Sequence, residues 1–511
     1  MVYLLTVVIG FLIFLGIVWG MRYPYGGSDH AYHYKLIQLI KQNGHRFVYS
    51  YNDFSKHLAV CPQLYHIICS FFSNVTLLNR ANFMNYVIMF LILVGLNVFL
   101  WLLSMYAGFD FTNSAILLIN VLFVTLPIFY AVWTAKFMGL SARAFGCLWV
   151  YLYLMGLFFY ILNYDVMFVY LVVLGFFLLL SSQFGFQFFI FANIFIAFLV
   201  KKYEILLSIP LSIILLFIFN FSYAKSFLKT QIHHKRNYSK FMIKDCHFKV
   251  RYSIWRDFIY DFWVKKDKNY IFGNPAVEVF IGAFPSCFVL IAYWFIPIQE
   301  NVESVRALYL LASSAFFAFF LTSLRIFRFL GEPQRYIEFG MPFSSILCVV
   351  LLPMWVSFAF LVMNLLILFL YAKNSSFHRQ LPEHIKIREE LMEYCNAIFD
   401  VKYQNLLTND HEIGRHFYIT KYEPHLPNYC AYYKDKEAFL SNFYKGDYHR
   451  ISPLFIVQEI KKSESGILIL YTNMLKFYDE HLIIPMLEGV ILEHLRDIGK
   501  FKVFKFFQGA L

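Results

Sequence analysis

The stretch "GGSDHAYHYKLIQLIKQNGH", residues 26–45, sets an acid, histidines and two lysines directly after an uncharged apolar run. Ser28 suits a helix N-cap and Asn43-Gly44 a helix stop. Tyr32, Leu36, Leu39 and Ile40 recur at helical spacing against Lys35, Gln38, Lys41 and Gln42. The spacing predicts an amphipathic helix over 28–42, lying along a membrane surface, with Asp29 in its first turn. There the helix dipole and the free backbone N–H groups favour an ionised carboxylate. A carboxylate held between water and lipid is what glycosyl transfer from a lipid phosphate requires, because the acceptor hydroxyl must lose a proton as the anomeric carbon is attacked. Arg22, His30, His33 and Lys35 then read as the groups that would steady the leaving phosphate. The same residues also suit plainer work: an acid that stabilises a helix N-terminus, a lysine that snorkels, histidines hydrogen-bonded at a surface.

Other constellations carry less. In "DHEIGRH", residues 410–416, His411 and His416 are five apart, about 140° around a helix, against about 40° for the i, i+4 pair that grips one zinc. His233 and His234 sit in a basic "HHKR" run, where lipid headgroups explain them better than a metal does. The mixed run "YSIWRDFIYDFW", residues 252–263, reads as an interfacial helix rather than a nucleic-acid surface. No Walker A sequence, GxSxG or dinucleotide-binding glycine fingerprint is present, so ATP, acyl transfer and nicotinamide chemistry are not indicated. No cofactor and no nucleic acid are expected.

The elements that must position these residues are membrane spans. Of the 511 residues 60% are hydrophobic, 21% aromatic and 15% charged, and the mean hydropathy is +0.58, outside the range of soluble globular chains. Residues 2–20 are uncharged and long enough to cross a bilayer; without a basic segment or a small-residue cleavage site they read as a first span, not a signal peptide. Further spans are expected near 62–78, 82–105, 113–132, 144–163, 166–181, 186–200, 203–221, 275–296, 305–324 and 340–371, about eleven in all. Segment 62–78 is short and carries Gln63 and His66, and 340–371 contains Pro353, so the first suits an interfacial helix and the second two short helices. Asp165, Glu204 and Glu278 fall at span ends, Lys136 and Arg143 flank a break between spans, and this scarcity of mid-membrane charge argues against an ion-coupled transporter.

Charge sets the expected sides. Residues 222–274 hold twelve Lys and Arg against four acids, which the positive-inside rule makes cytoplasmic, and "IQENVES" (298–304) suits the opposite face. Eleven spans then put the 21–61 loop and the tail outside, and Arg325, Arg328 and Arg335 inside. The first loop, with five basic residues against two acids, pulls the other way. From residue 372 the texture turns polar, with eighteen basic and eighteen acidic residues to the end. Residues 372–511 therefore read as a small α/β soluble domain following a membrane domain, 1–371. "GILILYTNML" and "KFKVFKFF" look like strands, and "PEHIKIREELMEYCNAIF" like a helix. Most of the eight cysteines sit in apolar runs as packing residues; Cys395 and Cys430, in the tail, are free to pair only in an oxidising compartment.

An early span, a loop with an acid near its start and an amphipathic helix, and "CPQLYHIICSFF" (61–72) leading back to the membrane resemble the GT-C superfamily of polyprenyl-phosphate-sugar-dependent glycosyltransferases. "GEPQRYIEFGMPF" (331–343) is similar to the Arg-aromatic-then-Pro element before a late span in several bacterial branches. The resemblance implies a multi-pass enzyme of the plasma or inner membrane, acting in cell-envelope glycan biosynthesis on the extracytoplasmic face. It would transfer a sugar from a polyprenyl-phosphate donor to a glycan, lipid or protein acceptor by inverting single displacement. It makes Asp29 the catalytic base and Arg335 a donor-phosphate contact. Many members carry paired acids in the first loop; here His30 follows Asp29, so a divalent metal is not supported.

Two rival classes remain. A lipid-linked oligosaccharide flippase or other polytopic transporter would place basic residues along a central cavity instead of one focused carboxylate. A surface-polysaccharide polymerase or ligase would carry a large Arg- and His-bearing loop outside the cytoplasm, whereas 222–274 reads as cytoplasmic.

Overall fold

The computed structural model of the chain describes residues 1–21, 28–48, 61–130, 139–242, 275–298, 300–374, 376–398, 405–417, 423–427, 432–446, 450–472 and 490–508. Arg22, Lys136, Cys430 and the 252–263 run lie outside these residues. The helices, in chain order, begin with α1 (Val2–Met21), α2 (Ser28–Gln42), α3 (Leu64–Ser70), α4 (Asn74–Asn79), α5 (Ala81–Tyr106) and α6 (Asn113–Thr125). Next come α7 (Ala142–Ile161), α8 (Met167–Ser181), α9 (Gln183–Val200), α10 (Ser208–Phe219) and α11 (Phe221–Asn237). The series continues with α12 (Pro275–Gly282), α13 (Phe284–Ala292), α14 (Val302–Ser323), α15 (Gln334–Ile337), α16 (Met341–Leu351), α17 (Met354–Asn374) and α18 (Ser376–Ile398). Among the described residues six helices are long and apolar enough to cross a bilayer: α1, α5, α7, α9, α14 and most of α17. All but the buried α7 carry large apolar side chains on their outer faces, Trp19, Trp101, Phe198, Phe320 and Trp355 among them, as lipid contact demands.

Inside the bundle, where no water can satisfy polar groups, short hydrogen-bonded chains tie helices together. Thr6 Oγ1 donates to Asn97 Oδ1 at 2.9 Å, and Asn97 Nδ2 donates to Asn120 Oδ1 at 2.8 Å, joining α1, α5 and α6. Tyr153 Oη donates to Asn193 Oδ1 at 2.6 Å, and Asn193 Nδ2 to Ser208 Oγ at 3.1 Å, joining α7, α9 and the start of α10.

Against about eleven expected spans, six helices of the described residues have spanning length, and segments 62–78 and 340–371 take the alternatives their residues suggested. Segment 62–78 is not a span: α3 and α4, seven and six residues long, reach about 10 Å each at 1.5 Å per residue, against about 30 Å of hydrocarbon. Gln63 anchors the segment instead, since its side chain accepts from Val48 N–H at 2.9 Å and donates to Val48 O at 2.7 Å. Segment 340–371 is two helices, α16 and α17. Pro353 cannot donate a backbone hydrogen bond, and Ser357 Oγ donates to Cys348 O at 2.8 Å across the break.

Losing the 62–78 span changes which loops share an end of the bundle. Tyr223 Oη of α11 donates to Cys61 O at 2.9 Å, and its ring lies 4.6 Å from that of Phe47, just past α2. The basic α11 segment therefore sits at the α2 end, not opposite it. Arg335 also lies at this end, on α15, contrary to the eleven-span expectation. "IQENVES" is at the far end, where Asn301 Nδ2 donates to Gly108 O at 2.9 Å and Ser304 Oγ to Ala107 O at 3.3 Å.

The remaining elements form a mixed sheet. Strands β1 (Asn405–Thr408), β2 (Glu423–Pro424), β3 (Ser465–Tyr471), β4 (Val490–Ile498) and β5 (Phe501–Gln508) are ordered β2-β1-β3-β5-β4. β1 runs parallel to β2 and β3, while β5 pairs antiparallel with β3 and β4. Helices α19 (His411–His416) and α20 (Pro453–Lys462) accompany it. Leu407, Leu426, Ile456 and Ile460 of this unit form one core with Ala31, Tyr32 and Leu39 of α2. Tyr34 and Ile37, on another face of α2, belong to the bundle core. α2 is thus clasped between bundle and sheet, not laid open on a membrane surface.

Candidate functional site

The α2 end gathers the groups that can do chemistry. The backbone of Asp29 lies in the first turn of α2; its side chain lies outside the description. His30, next in the chain, is 4% exposed, and its Nδ1 accepts the Leu140 N–H at 3.0 Å. Burial, helped by the neighbouring charge of His33, pushes the His30 pKa down to about 4, so at neutral pH the ring is uncharged. His33 Nδ1 shares a 2.7 Å hydrogen bond with His66 Nε2 of α3, the rings stacked at 4.9 Å. His66, buried and facing His33, is held well below the usual imidazole range. Lys35 is half-buried. Lys41 donates to Phe72 O at 2.6 Å and to Asn74 Oδ1 at 2.7 Å, and Gln38 Nε2 to the same Asn74 oxygen at 2.9 Å, seating α2 on the α3–α4 turn. Of the first-loop residues expected to carry positive charge, His30 does not.

The cations lie a short step away, in a cluster that the sequence reading did not assemble. Arg143, Cys147 and Tyr151 follow at intervals of four along α7 and so share one face. All three meet Glu338, which is 1% exposed. Arg143 Nη2 lies 3.8 Å from Glu338 Oε1, Cys147 Sγ donates to the same oxygen at 3.6 Å, and Tyr151 Oη donates to the Glu338 carbonyl at 2.8 Å. Arg335, on the turn before, pairs with Glu332 and lays its guanidinium 4.7 Å over the Phe184 ring. Arg143 stands within charge range of Arg335, Glu332 and Glu338 together. A third cation joins from α11: with its amide nitrogen on Leu330 O and Tyr336 Oη, Gln187 accepts from Lys235 Nζ at 2.7 Å. Arg143 and Arg335 face Glu338 and Glu332, with Lys235 next to them on Gln187, in a place where burial strengthens every charge–charge interaction. Such a set can hold a phosphate through charge-assisted bonds, two at once from each guanidinium fork.

The link between the first turn of α2 and the cations is local. Leu140, bonded to His30, stands three residues before Arg143, and Ser141 Oγ between them accepts the Arg143 N–H at 3.3 Å as N-cap of α7. A spacing argument could have found Arg143, a lone charge at the first turn of an apolar helix. Glu338 and Lys235 are 195 and 92 positions further on and gave no such signal. Among the described residues no group of three or more His, Cys, Asp or Glu side chains is placed to hold a metal ion. α19, the "DHEIGRH" element, instead packs beside α2 and sets Arg415 5.5 Å over the Tyr32 ring.

No family model matches the chain, and no curated protein does. Among solved structures, the crystal structure of ArnT from Cupriavidus metallidurans bound to undecaprenyl phosphate is similar over 98% of this chain and 97% of that one. The two are 8% identical, with a TM-score of 0.43, a level at which the likeness carries no functional weight.

Proposed function

We propose that the chain is an integral membrane glycosyltransferase of the GT-C type, which moves a sugar from a polyprenyl-phosphate carrier to an acceptor hydroxyl. One observation carries the reading: Arg143 and Arg335 meet, with Lys235 on the adjoining α11, at the end of the bundle where the first turn of α2 bears Asp29. In the reaction the acceptor oxygen attacks the anomeric carbon and Asp29 takes its proton. The bond from that carbon to the phosphate oxygen breaks, and its electron pair leaves with the polyprenyl phosphate. The configuration inverts in this single step. The phosphate is held by Arg143, Arg335 and Lys235, while the buried His30 accepts the Leu140 N–H instead. The donor carries the energy, so no nucleotide is needed at the site.

The reading places the α2 end away from the cytoplasm, with the sheet unit covering the site. On this account the basic residues of α11 are ligands for headgroup and donor phosphates rather than a signal of orientation. The positive-inside rule, applied to 222–274, argues for the opposite side. A second reading, a surface-polysaccharide polymerase or ligase, gains from one observation: the His- and Arg-bearing α11 shares an end with α2.

The test is transfer by purified protein from a synthetic polyprenyl-phosphate sugar, read as release of polyprenyl phosphate. Arg143→Lys, which keeps the charge and loses the fork, should weaken donor binding about 10- to 100-fold, the worth of one or two charge-assisted hydrogen bonds. Unchanged donor binding in both Arg143→Lys and Arg335→Lys would overturn the assignment.

A further inference from the structure

The Gly139–Leu140 dipeptide, just ahead of α7, has its backbone groups taken up by side chains from two other helices. Gly139 N–H donates to Asn82 Oδ1, and Gly139 O accepts from Asn85 Nδ2 at 2.7 Å; both asparagines are on α5. Leu140 N–H donates to His30 Nδ1 of α2 at 3.0 Å. Asn85 is fully buried and His30 nearly so. Gly139 has φ +60°, a conformation that favours glycine. A buried backbone group must find a partner, yet the usual partner is more backbone. Three side chains converging on two residues hold a position instead of extending an element. The position they hold is the entry to α7, where Ser141 caps the helix and Arg143 follows.

We propose that His30, Asn82 and Asn85 form a positioning clamp on Gly139–Leu140 that fixes Arg143 at the start of α7 against the Asp29-bearing turn of α2. The inference rests on the reading of Arg143 as a phosphate ligand. His30 and Asp29 are adjacent residues in one helical turn, so the bond from His30 to Leu140 links that turn to the entry of α7. The neutral imidazole serves this purpose because an acceptor nitrogen is needed. None of the three side chains is assigned contact with substrate.

The test separates the clamp from the phosphate site. Hydrogen exchange of the peptide spanning Leu140 is measured in the full-length protein in detergent, beside binding of polyprenyl phosphate. In His30→Ala, exchange at Leu140 should rise and phosphate binding should weaken, each about tenfold, the fold-change set by one buried hydrogen bond. His30→Asn, whose Oδ1 falls close to the place of Nδ1, should restore both, which a loss of packing alone would not allow. Asn85→Ala leaves α2 intact and should reproduce both changes from the α5 side. Unchanged exchange in His30→Ala and Asn85→Ala overturns the clamp. Faster exchange with unchanged phosphate binding overturns its positioning role. If the wild-type protein binds no polyprenyl phosphate, the phosphate reading and the positioning role fall together, and the exchange data alone decide whether the clamp exists.

Discussion

The seat of α2 depends on a polar node at the edge of the sheet, and the node makes a quantitative prediction. His425, just past β2, turns Nδ1 to Glu459 Oε2 at 2.8 Å and Nε2 to Asn405 Oδ1 at 3.1 Å, while Lys462 Nζ donates to Glu459 Oε1 at 2.7 Å. The node ties together β1, the β2 edge and α20, the elements whose Leu407, Leu426, Ile456 and Ile460 pack against α2. The hydrogen bond from His425, followed by that from Lys462, outweighs burial and brings the Glu459 carboxyl down to about 2 from 4.5. Each pH unit of that difference is worth about 1.4 kcal/mol, and the carboxylate is 14% exposed, so solvent screens it little; about 2 to 3 kcal/mol of folding free energy results. Because the folded-state value is depressed, this stability is fully present above about pH 4.5 and fades as pH falls towards 2. Glu459→Gln removes it. The readout is pulse labelling of the Cys395 thiol, which is 0% exposed in the sheet unit, with dithiodipyridine and peptide mass spectrometry. At pH 7 the variant should label about 30- to 150-fold faster than wild type, and the gap should narrow progressively from pH 4.5 down to pH 2.5. Equal rates at pH 7, or a gap of the same size at pH 2.5, would refute the reasoning.

Two further outcomes follow from the geometry. Cysteines introduced at the exposed positions Asn74, Lys225 and Glu437 should react with an impermeant reagent from one side of the membrane and a cysteine at Glu300 from the other; under the proposed function the first three are reached in intact cells. Leu36, 2% exposed, should tolerate Asp far worse than Gln38 does, because an unpaired charge buried inside the protein costs several kcal/mol, whereas at Gln38 only an exposed hydrogen bond to Asn74 is lost and the new carboxylate stays hydrated; equal loss of activity in the two variants would mean that α2 is not clasped as described.

Periodicity and caps made much of the fold legible. α2 runs from Ser28 to Gln42, where the apolar spacing and the Asn-Gly stop, with Gly44 at φ +66°, agree. β3 (465–471) and β5 (501–508) overlap the runs at 466–475 and 500–507 that read as strands. Sidedness was not legible, because it depends on parity, and one short segment decides parity. Gln63 and His66 were the warning in 62–78: both are 1% exposed and bonded within the protein, a burial that hydropathy averages cannot distinguish from immersion in lipid. The cation cluster was hidden for another reason. Arg143, Lys235 and the Arg335–Glu338 turn come from three segments far apart in sequence, and nothing local in the chain records that they meet. His30 is the converse case, a residue whose type fits a phosphate contact and whose burial makes it a neutral acceptor.

The central claim, that Asp29 is the base of a sugar transfer, is tested most directly by Asp29→Asn in an assay with purified protein and a synthetic polyprenyl-phosphate sugar. Asparagine keeps the size and capping ability of the side chain and removes the proton acceptor. The account predicts turnover lower by about 10² to 10⁴ with donor binding retained. A plain N-terminal stabiliser would cost only about 0.3 to 1 kcal/mol of helix stability and leave turnover near normal, and that result would contradict the account and return the protein to the transporter class.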